Sequence, residues 1–343
     1  MKHLFYTSSQ SAWKGFKTTL TSAQKSIYIE MYIFIDDTAE GKELLGILAD
    51  KANAGIRVMV ILDAFGSKEL SSDAITTLQS AGVEILFFKK LFRRLHRKIM
   101  VIDETVGFVG GVNIHKGARL WDDLLVRVEG KVVHSLIRSF AKVYKACGGK
   151  DGYLAHYRKK ALWGGTRIWF LEHLPSIQRP RLRDYYTEAI VQATKEVVII
   201  TPYFLPSRWL KKLLRETQKR GVSIKIFVPE KTDLSLITKA NYTYMRLLGQ
   251  EGIVFYTLPT MNHAKLLLVD DSLALVGSQN IDALSFDFNA EAGLYFDDPA
   301  MIKDLRGIVE KWRASATVFD PHGPIRLLER FYSYIVRLVQ PLL

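Results

Sequence analysis

The sequence predicts an α/β protein of two pseudo-twofold-related halves, each with a mostly parallel mixed sheet flanked by helices. One observation is a stretch that occurs twice, as HRKIMVIDETVGFVGGVN at 96–113 and HAKLLLVDDSLALVGSQN at 263–280. A second is that strand and helix patterns alternate in the same order before each copy. Both copies fit His-x-Lys-x4-Asp followed by Gly-Gly/Ser-x-Asn, and such an internal repeat indicates duplicated structural units.

The composition is that of a basic globular protein. The chain has 343 residues, of which 48% are hydrophobic and 24% charged, enough for two domains that each bury a core. Its formal net charge of +13 indicates a polyanionic partner, either nucleic acid or an anionic membrane, or simply a soluble basic surface. The single cysteine, Cys147, excludes an internal disulfide framework, and its place at a predicted helix end favours core packing over catalysis.

The elements before each motif follow from local patterns. Apolar, β-branched runs predict strands, and amphipathic runs, several of them closed by glycine, predict helices. The first half has predicted strands at 4–6, 27–34, 56–63 and 83–88, a helix that ends near Ala23, and helices at 41–55 and roughly 71–81. The second half has predicted strands at 167–171, 197–204, 222–229 and 253–258 and helices at 209–221 and roughly 235–251.

The repeat also predicts the domain organisation. We expect an N-terminal domain at 1–150, a basic, glycine-rich linker at 151–165 and a C-terminal domain at 166–319. After the helix breakers at 320–324, residues 325–343 carry apolar side chains at helical spacing with arginines on the opposite side. This segment is predicted to be either an amphipathic helix at a membrane interface or a helix packed on the second domain.

The spacing within the motif assigns its polar residues to faces. If 96–102 is a strand, His96 and Lys98 share one face, and Asp103 lies on the other, where it fixes the hairpin better than it contacts substrate. The second copy repeats this pattern with His263, Lys265 and Asp270. A lone strand histidine is usually a core residue, but burying a lysine beside it in both halves is costly without an anion. We therefore expect an anion between the copies and no metal, because lysine repels cations and the motif has no cysteine.

A phosphodiester suits two histidines, two lysines and two asparagines that converge. The lysines with Asn113, Asn280 and Ser278 would hold non-bridging oxygens, while one histidine attacks phosphorus and the other protonates the leaving alcohol. Each histidine then needs a carboxylate to orient its second ring nitrogen. Asp123 and Glu291 lie at corresponding positions after the two motifs and suit this role, or are surface acids where a strand begins.

At these residues the sequence resembles the phospholipase D superfamily, whose hallmark is the doubled His-x-Lys-x4-Asp motif. The resemblance covers nearly the whole chain, from strand 27–34 to about residue 315. Within the superfamily the chain is similar to the bacterial cardiolipin synthases, in particular the branch without two N-terminal membrane helices. The segments that carry this similarity are FRRLHRKIMVIDETVGFVGGVNI at 92–114, PYFLP at 202–206, GSQNID at 277–282 and NAE at 289–291.

The resemblance implies transfer of a phosphatidyl group in two steps, through a phosphohistidine and without cofactor or metal. It implies His96 as nucleophile and His263 as acid and base, although the symmetry of the repeat leaves these roles open. The catalytic set that it implies is His96, Lys98, Asp103, His263, Lys265 and Asp270. The alternative is a phosphodiesterase or nuclease with the same residues, which the positive charge would serve equally well.

The resemblance also implies partners and a place of action. The expected partners are phosphatidylglycerol, phosphatidylethanolamine and cardiolipin at an anionic membrane surface, and nucleic acid is not the expected substrate. The sequence shows no signal peptide and no uncharged apolar stretch of about 18 residues, which favours peripheral attachment. We therefore expect the protein at the cytoplasmic face of the cell membrane.

Overall fold

A computed structural model describes residues 2–157, 167–175 and 181–323. Both halves contain a sheet with helices packed on it, and the elements are numbered in chain order. The first half contains β1 (His3–Ser8), α1 (Ser9–Thr21), β2 (Ser26–Met31), α2 (Ala39–Asn53), β3 (Arg57–Asp63), α3 (Ser72–Ser80), β4 (Glu84–Phe88), β5 (Ile99–Ile102), β6 (Val106–Gly110), β7 (Asp122–Glu129), α4 (Val132–Ala146) and α5 (Gly152–Ala155).

The second half repeats this order from its own first strand. Its elements are β8 (Ile168–His173), α6 (Leu182–Val191), β9 (Glu196–Ile200), α7 (Arg208–Lys219), β10 (Ser223–Pro229), α8 (Ser235–Gly249), β11 (Val254–Leu258), β12 (Leu266–Val269), β13 (Leu273–Gly277), a π-helical turn (Leu284–Phe288), β14 (Glu291–Phe296), α9 (Pro299–Ser315) and β15 (Thr317–Val318). Every strand and helix predicted before the motifs is present, with its ends shifted by a few residues at most.

The two sheets are mixed, as predicted, but they are not mostly parallel. Their strand orders are β1-β7-β6-β5-β2-β3-β4 and β15-β11-β10-β9-β12-β13-β14-β8. In the first sheet only β2–β3 and β3–β4 pair in parallel, and in the second only β9–β10 and β10–β11 do. The strands of each motif hairpin, β5–β6 and β12–β13, are antiparallel because a connection of only three residues joins them, and β5 and β12 also pair antiparallel with β2 and β9.

The tight turn of each hairpin explains one part of the motif. Asp103 and Glu104 have φ of +51° and +58°, and Asp270 and Asp271 have φ of +50° and +52°. Two consecutive residues with positive φ are typical of the type I′ turn, whose twist matches that of a β-hairpin. Aspartate tolerates this conformation better than bulky residues do, because its short side chain can bind nearby backbone.

The two halves are packed on a shared core. One continuous cluster of buried side chains includes Val126, Leu136 and Phe140 from the first half and Val198, Leu266 and Leu294 from the second. Burying each such side chain fully is worth about 1.5–3 kcal/mol, so this interface holds the halves together firmly. Residues 158–166 and the terminal segment 325–343 lie outside the described residues, so the domain boundaries and the terminal helix stay predictions.

No helix in the described ranges combines the length and the apolar character that a bilayer-spanning helix needs.

Candidate active site

The two motif histidines lie at one edge of the joined sheets, where β2, β3 and β4 end and β5 begins. Strand β5 begins at Ile99, so the condition that the strand starts at residue 96 is not met, and residues 96–98 are irregular. Two backbone bridges link the halves beside the histidines, Leu95 with Ala290 and Asp122 with Asn262. The site is therefore built from both halves and does not exist in one half alone. We call this edge the active-site edge.

Each histidine is bound by a carboxylate of the other half. His96 Nδ1 lies 3.0 Å from Glu291 Oε1, and His263 Nδ1 lies 2.8 Å from Asp123 Oδ2. Asp123 and Glu291 are fully buried, so the interpretation as surface acids is wrong. The sequence indicates these two carboxylates but not this exchange, which depends on how the halves meet.

The carboxylates determine the tautomer of both imidazoles. A carboxylate can only accept, so Nδ1 carries the proton and Nε2 keeps its lone pair. Burial alone would raise the pKa of both acids, but His96 beside Glu291 and His263 beside Asp123 hold the pKa of each carboxyl below its usual range. Both acids are therefore ionised at neutral pH.

Burial also keeps both histidines neutral in the unliganded protein. It lowers the pKa of His263 to about 3, helped by the charge of Lys265, and outweighs the opposing effect of Asp123. It lowers the pKa of His96 as well, against the raising effect of Glu291. A neutral imidazole with a free Nε2 can act as a nucleophile or a general base.

The two motif lysines are buried beside the histidines. Lys98 and Lys265 are each 1% exposed. The ammonium of Lys98 donates to the carbonyl oxygen of His96 at 2.7 Å, and that of Lys265 donates to the carbonyl oxygen of His263 at 2.5 Å. Burial lowers the pKa of Lys98 to about 7 and that of Lys265 to about 8. An anion between them would favour their charged forms and lower the cost of burying them.

The two motif asparagines end in the same region with unsatisfied polar atoms. Asn113 and Asn280 are buried, and the side-chain oxygen of each has no hydrogen-bond partner among the described residues. Buried polar groups are nearly always paired, so an unpaired one beside a cluster of charged groups indicates a place for a ligand or water. Asn113 and Asn280 are equivalent residues of the repeat, so both halves provide such an unpaired oxygen.

Two aromatic side chains that the sequence analysis did not identify contact the histidines. The ring of Tyr32 lies 4.8 Å from that of His96, and the ammonium of Lys98 lies 5.0 Å from the same tyrosine ring. The ring of Trp121 lies 5.0 Å from that of His263. Each aromatic ring limits how its histidine can turn. Trp121 is two residues from Asp123, a proximity that could have indicated it.

Ser278 does not have the predicted substrate-binding role. Its side chain is fully buried, donates to Glu291 and accepts from the backbone N–H of Ala292 at 3.0 Å. The equivalent residue in the first half is Gly111, where an added Cβ would lie 2.2 Å from the carboxylate of Asp123. Ser278 therefore positions Glu291. In the first half, Gly111 leaves the space that the carboxylate of Asp123 occupies.

Asp103 and Asp270 lie at the other end of the motif strands and do not contact the histidines. Asp103 accepts from the backbone N–H groups of residues 24–26, and Asp270 accepts from those of residues 194–196. The four residues of β5 alone add about 13 Å between Asp103 and the site. We therefore correct their assignment as catalytic: they fix the hairpin to the strand beside it, as their position at the hairpin turn predicts.

A buried ion pair supports the backbone of the first motif. Arg97, between His96 and Lys98, is fully buried with its Nε 3.1 Å from Glu30 Oε2 and its Nη2 2.7 Å from Ser139 Oγ. Burial raises the pKa of Glu30 to about 7 despite this arginine. The second half has Ala264 at the equivalent position. A charged residue inside an apolar pattern was the available signal for this pair.

The chain is similar in sequence to known proteins. The sequence model of the family described as "Cardiolipin synthase, PLD-like domain" matches the chain twice, at residues 16–144 and 186–312. The chain is 31% identical over 322 residues to the probable cardiolipin synthase YwiE of Bacillus subtilis, and the match covers 89% of this chain and 64% of that protein. It is 30% identical over 309 residues to cardiolipin synthase B of Salmonella typhi, covering 84% of this chain and 74% of that protein.

Solved structures support the fold. The crystal structure of phosphatidylserine synthase from Haemophilus influenzae has a TM-score of 0.77 at 16% identity, covering 99% of this chain and 93% of that chain. Polyphosphate kinase from Porphyromonas gingivalis has a TM-score of 0.66 at 12% identity, covering all of this chain and 54% of that chain. At such identities these similarities concern the architecture of two joined α/β halves.

Proposed function

The chain belongs to the family of cardiolipin synthases with phospholipase D-like domains, and from this membership we propose that it makes cardiolipin by phosphatidyl transfer between phospholipids. The observation that carries the proposal is that each motif histidine is bound by a carboxylate of the other half, with a buried lysine beside each histidine. The chain spans 64% of the length of one relative and 74% of another, so the activity is inferred for this chain and not transferred from them.

In the first step, Nε2 of His96 attacks the phosphorus of the donor lipid. A phosphorus–nitrogen bond forms, the phosphorus–oxygen bond to the head-group alcohol breaks, and His263 gives that oxygen a proton. His263 can give a proton only as an imidazolium, but its pKa in the empty site is low. The negative charges of the bound phosphodiester and of Asp123 must therefore stabilise the imidazolium. The ammonium groups of Lys98 and Lys265 balance the charge of the non-bridging oxygens as it increases.

In the second step, a glycerol hydroxyl of an acceptor phosphatidylglycerol attacks the phosphohistidine. His263 takes the hydroxyl proton, the new phosphorus–oxygen bond forms, and the bond from phosphorus to His96 breaks. The product is cardiolipin, and both histidines return to their starting forms. Phosphatidylglycerol or phosphatidylethanolamine suits the donor position, because both present a phosphodiester with an alcohol leaving group.

We propose that no divalent metal takes part, because two lysines provide the charge that a metal ion would otherwise provide. Excess chelator should leave the rate of transfer unchanged. Loss of activity in chelator, with recovery on adding magnesium or zinc, would contradict this.

The experiment that tests the function is mass spectrometry of lipids after incubation with purified protein. Vesicles of phosphatidylglycerol alone and of phosphatidylglycerol mixed with isotope-labelled phosphatidylethanolamine distinguish the two donors. The wild type should form cardiolipin, and His96→Gln and His263→Gln should form none. Release of phosphatidic acid without cardiolipin would make the protein a hydrolase, and cleavage of nucleic acid would support the alternative that the family membership does not favour.

A further inference from the structure

The exposed apolar side chains of this protein are concentrated at the active-site edge. In the described part of the chain, fourteen large apolar side chains are exposed, and eight of them lie in loops or first helical turns at this edge. The three most exposed are Leu91 at 82%, Leu120 at 81% and Phe92 at 77%. Exposed apolar side chains grouped around a site indicate a surface that binds another apolar body.

Each of the two histidines has one of these exposed positions beside it. Leu91 and Phe92 lie in the loop that leads directly to His96. Leu120 directly precedes Trp121, whose ring packs on His263. The exposed groups therefore lie on both sides of the catalytic pair, and a flat body resting on them would cover the site.

The first of these positions is a tight, strained turn. Lys90 and Arg93 form an antiparallel backbone bridge, with Leu91 and Phe92 between them. Phe92 has a φ of +57°, a left-handed conformation that is rare for a bulky residue and costs free energy. The fold accepts this strain and leaves both apolar side chains in solvent.

Basic residues surround the same turn. Lys89, Lys90, Arg93 and Arg94 flank Leu91 and Phe92 in the sequence KKLFRR, and none of the four forms an ion pair with a described carboxylate. The guanidinium of Arg94 lies 4.3 Å from the ring centre of Phe65, another exposed apolar residue of this edge.

The turn is also fixed to the second half. The backbone N–H of Arg94 donates to Asn289 Oδ1 at 3.2 Å, and the N–H of Ala290 donates to the carbonyl oxygen of Arg94 at 2.8 Å. Apolar side chains at the tip, cations without a carboxylate partner among the described residues at the base, and backbone hydrogen bonds to the site form the pattern that an anionic lipid surface would bind.

We propose that the Lys90–Arg93 turn and Leu120 dock this protein on an anionic phospholipid bilayer, with the catalytic cleft facing the lipid. The proposal rests on the proposed function in one respect, since the substrate it brings to the site is a lipid. The apolar side chains enter the interface while the neighbouring cations bind lipid phosphates. The docking is separate from any contribution of residues 324–343.

An environment-sensitive dye tests the docking directly, because the native chain has one cysteine. In a Cys147→Ala background, acrylodan is attached at Leu91→Cys, Leu120→Cys or, as control, Leu4→Cys. Leu4 is 49% exposed near the start of β1, at the opposite edge. Vesicles of phosphatidylglycerol and phosphatidylcholine should shift the emission to the blue at 91 and 120 but not at 4. Bound protein without a shift at 91 and 120 would overturn the proposal.

Matched substitutions test the consequence for binding and turnover. Leu91→Gln combined with Leu120→Gln should weaken binding to these vesicles roughly ten- to hundredfold, whereas Leu4→Gln should not. Phe92→Gly should also weaken binding while the melting temperature stays the same or rises, because glycine adopts positive φ freely. Hydrolysis of a soluble phosphodiester should be unchanged in all of these variants. Wild-type vesicle binding by the double variant would contradict the proposal.

The dye measurements and the lipid assay distinguish a failure of the docking proposal from a failure of the proposed function. If the wild type makes no cardiolipin but the dyes at 91 and 120 still shift, the docking stands and the function is wrong. If the shifts are equal with pure phosphatidylcholine vesicles, the role of the cations is wrong. A dye shift caused by nucleic acid at the same salt concentration, and not by vesicles, would identify a different partner and overturn the proposal.

Discussion

At the residue scale, the two halves depend on each other through the exchanged carboxylates. Glu291 orients His96, and Asp123 orients His263, so each half contributes to both catalytic units. An amide in place of the acid keeps a hydrogen-bonding oxygen but removes the charge that stabilises an imidazolium.

Asp123→Asn and Glu291→Gln should therefore each lower kcat by about 10²–10⁴-fold without unfolding the protein. If His263 is the acid, Asp123→Asn should lose most activity with a poor alkyl leaving group and little with an activated aryl one. Glu291→Gln should slow both reactions alike. Single-turnover rates with the two donors provide the measurement, and the reverse pattern would exchange the roles of the histidines.

The lysines give a second prediction, on pH. Burial lowers the pKa of Lys98 to about 7 and of Lys265 to about 8, well below the value of about 10.4 in an unfolded chain. Between these limits the unfolded state binds more protons than the folded one, so their contribution makes the unliganded protein more stable as pH rises. Anion binding needs the charged lysines, so it should weaken over the same range.

The test is the affinity for inorganic tungstate and the melting temperature of the empty protein, both measured from pH 6.5 to 9.5. Lys98→Met should raise the melting temperature at pH 7, flatten its rise with pH and abolish anion binding. The exposed Lys212→Met serves as the control, with a side chain 77% accessible to solvent. Tungstate affinity that does not change with pH would show that the lysines do not hold the anion.

The sequence predicts which residues form the site better than it predicts the contacts between them. The repeat identifies both histidines, both lysines and the two carboxylates, because duplicated spacing is visible along the chain. It does not identify which carboxylate serves which histidine, nor the contact of Trp121 with His263, because these depend on how the halves meet. It also misses the contact of Tyr32 with His96, which depends on the pairing of β2 with β5 within the first sheet. Ser278 was misassigned for a different reason, since its partner Glu291 lies in the same half, on the neighbouring strand β14, and the pairing of β13 with β14 is not visible along the chain.

At the element scale, the motif aspartates stabilise the hairpin. Each carboxylate accepts from three consecutive backbone N–H groups, and those groups hold the pKa of Asp270 below its usual range although burial acts the other way. The stability that Asp270 contributes is present above its unfolded pKa and is lost as pH falls through its lower folded value.

Asp103→Ala and Asp270→Ala should each lower the free energy of unfolding by about 1–3 kcal/mol, because they leave backbone donors unpaired. The kcat of the folded fraction should change little, since neither residue reaches the histidines. Urea unfolding and active-site titration measure the two quantities. A large loss of kcat with unchanged stability would restore their assignment as catalytic residues.

At the same scale, the burial of the strands explains why the proportion of parallel pairs in the two sheets was overestimated. Buried apolar strands such as β3 and β10 are typical of parallel sheets, and these strands do pair in parallel on both sides. The hairpin strands carry a similar apolar pattern because helices and the other half cover them. Apolar runs therefore identify buried strands but not the direction of their neighbours.

At the scale of the whole molecule, the end of the described chain is fixed to the second half. Arg246 donates to the carbonyl oxygens of Pro321 at 3.1 Å and Gly323 at 2.7 Å. A truncation after Gly323 keeps these contacts and removes the segment predicted to bind a membrane interface.

Removal of residues 324–343 should leave hydrolysis of a soluble short-chain phosphodiester largely intact, while turnover of vesicle lipid falls steeply. The physical reason is that the spacing of apolar residues and arginines in the removed segment predicts an amphipathic helix, which would bind a membrane interface. Thermal melting provides the control. If truncation unfolds the protein or reduces both activities equally, the segment belongs to the core of the second domain.

The central claim is that a phosphatidyl group passes through a covalent bond to His96, and trapping that bond tests it most directly. Rapid quenching at alkaline pH followed by peptide mass spectrometry locates the adduct after mixing with a short-chain phosphodiester that has an aryl leaving group. The wild type and His263→Ala should carry the phosphoryl group on His96, more of it in the variant because the second step needs a base. His96→Gln should carry none. An adduct on His263, or cardiolipin formed by His96→Gln, would contradict the account.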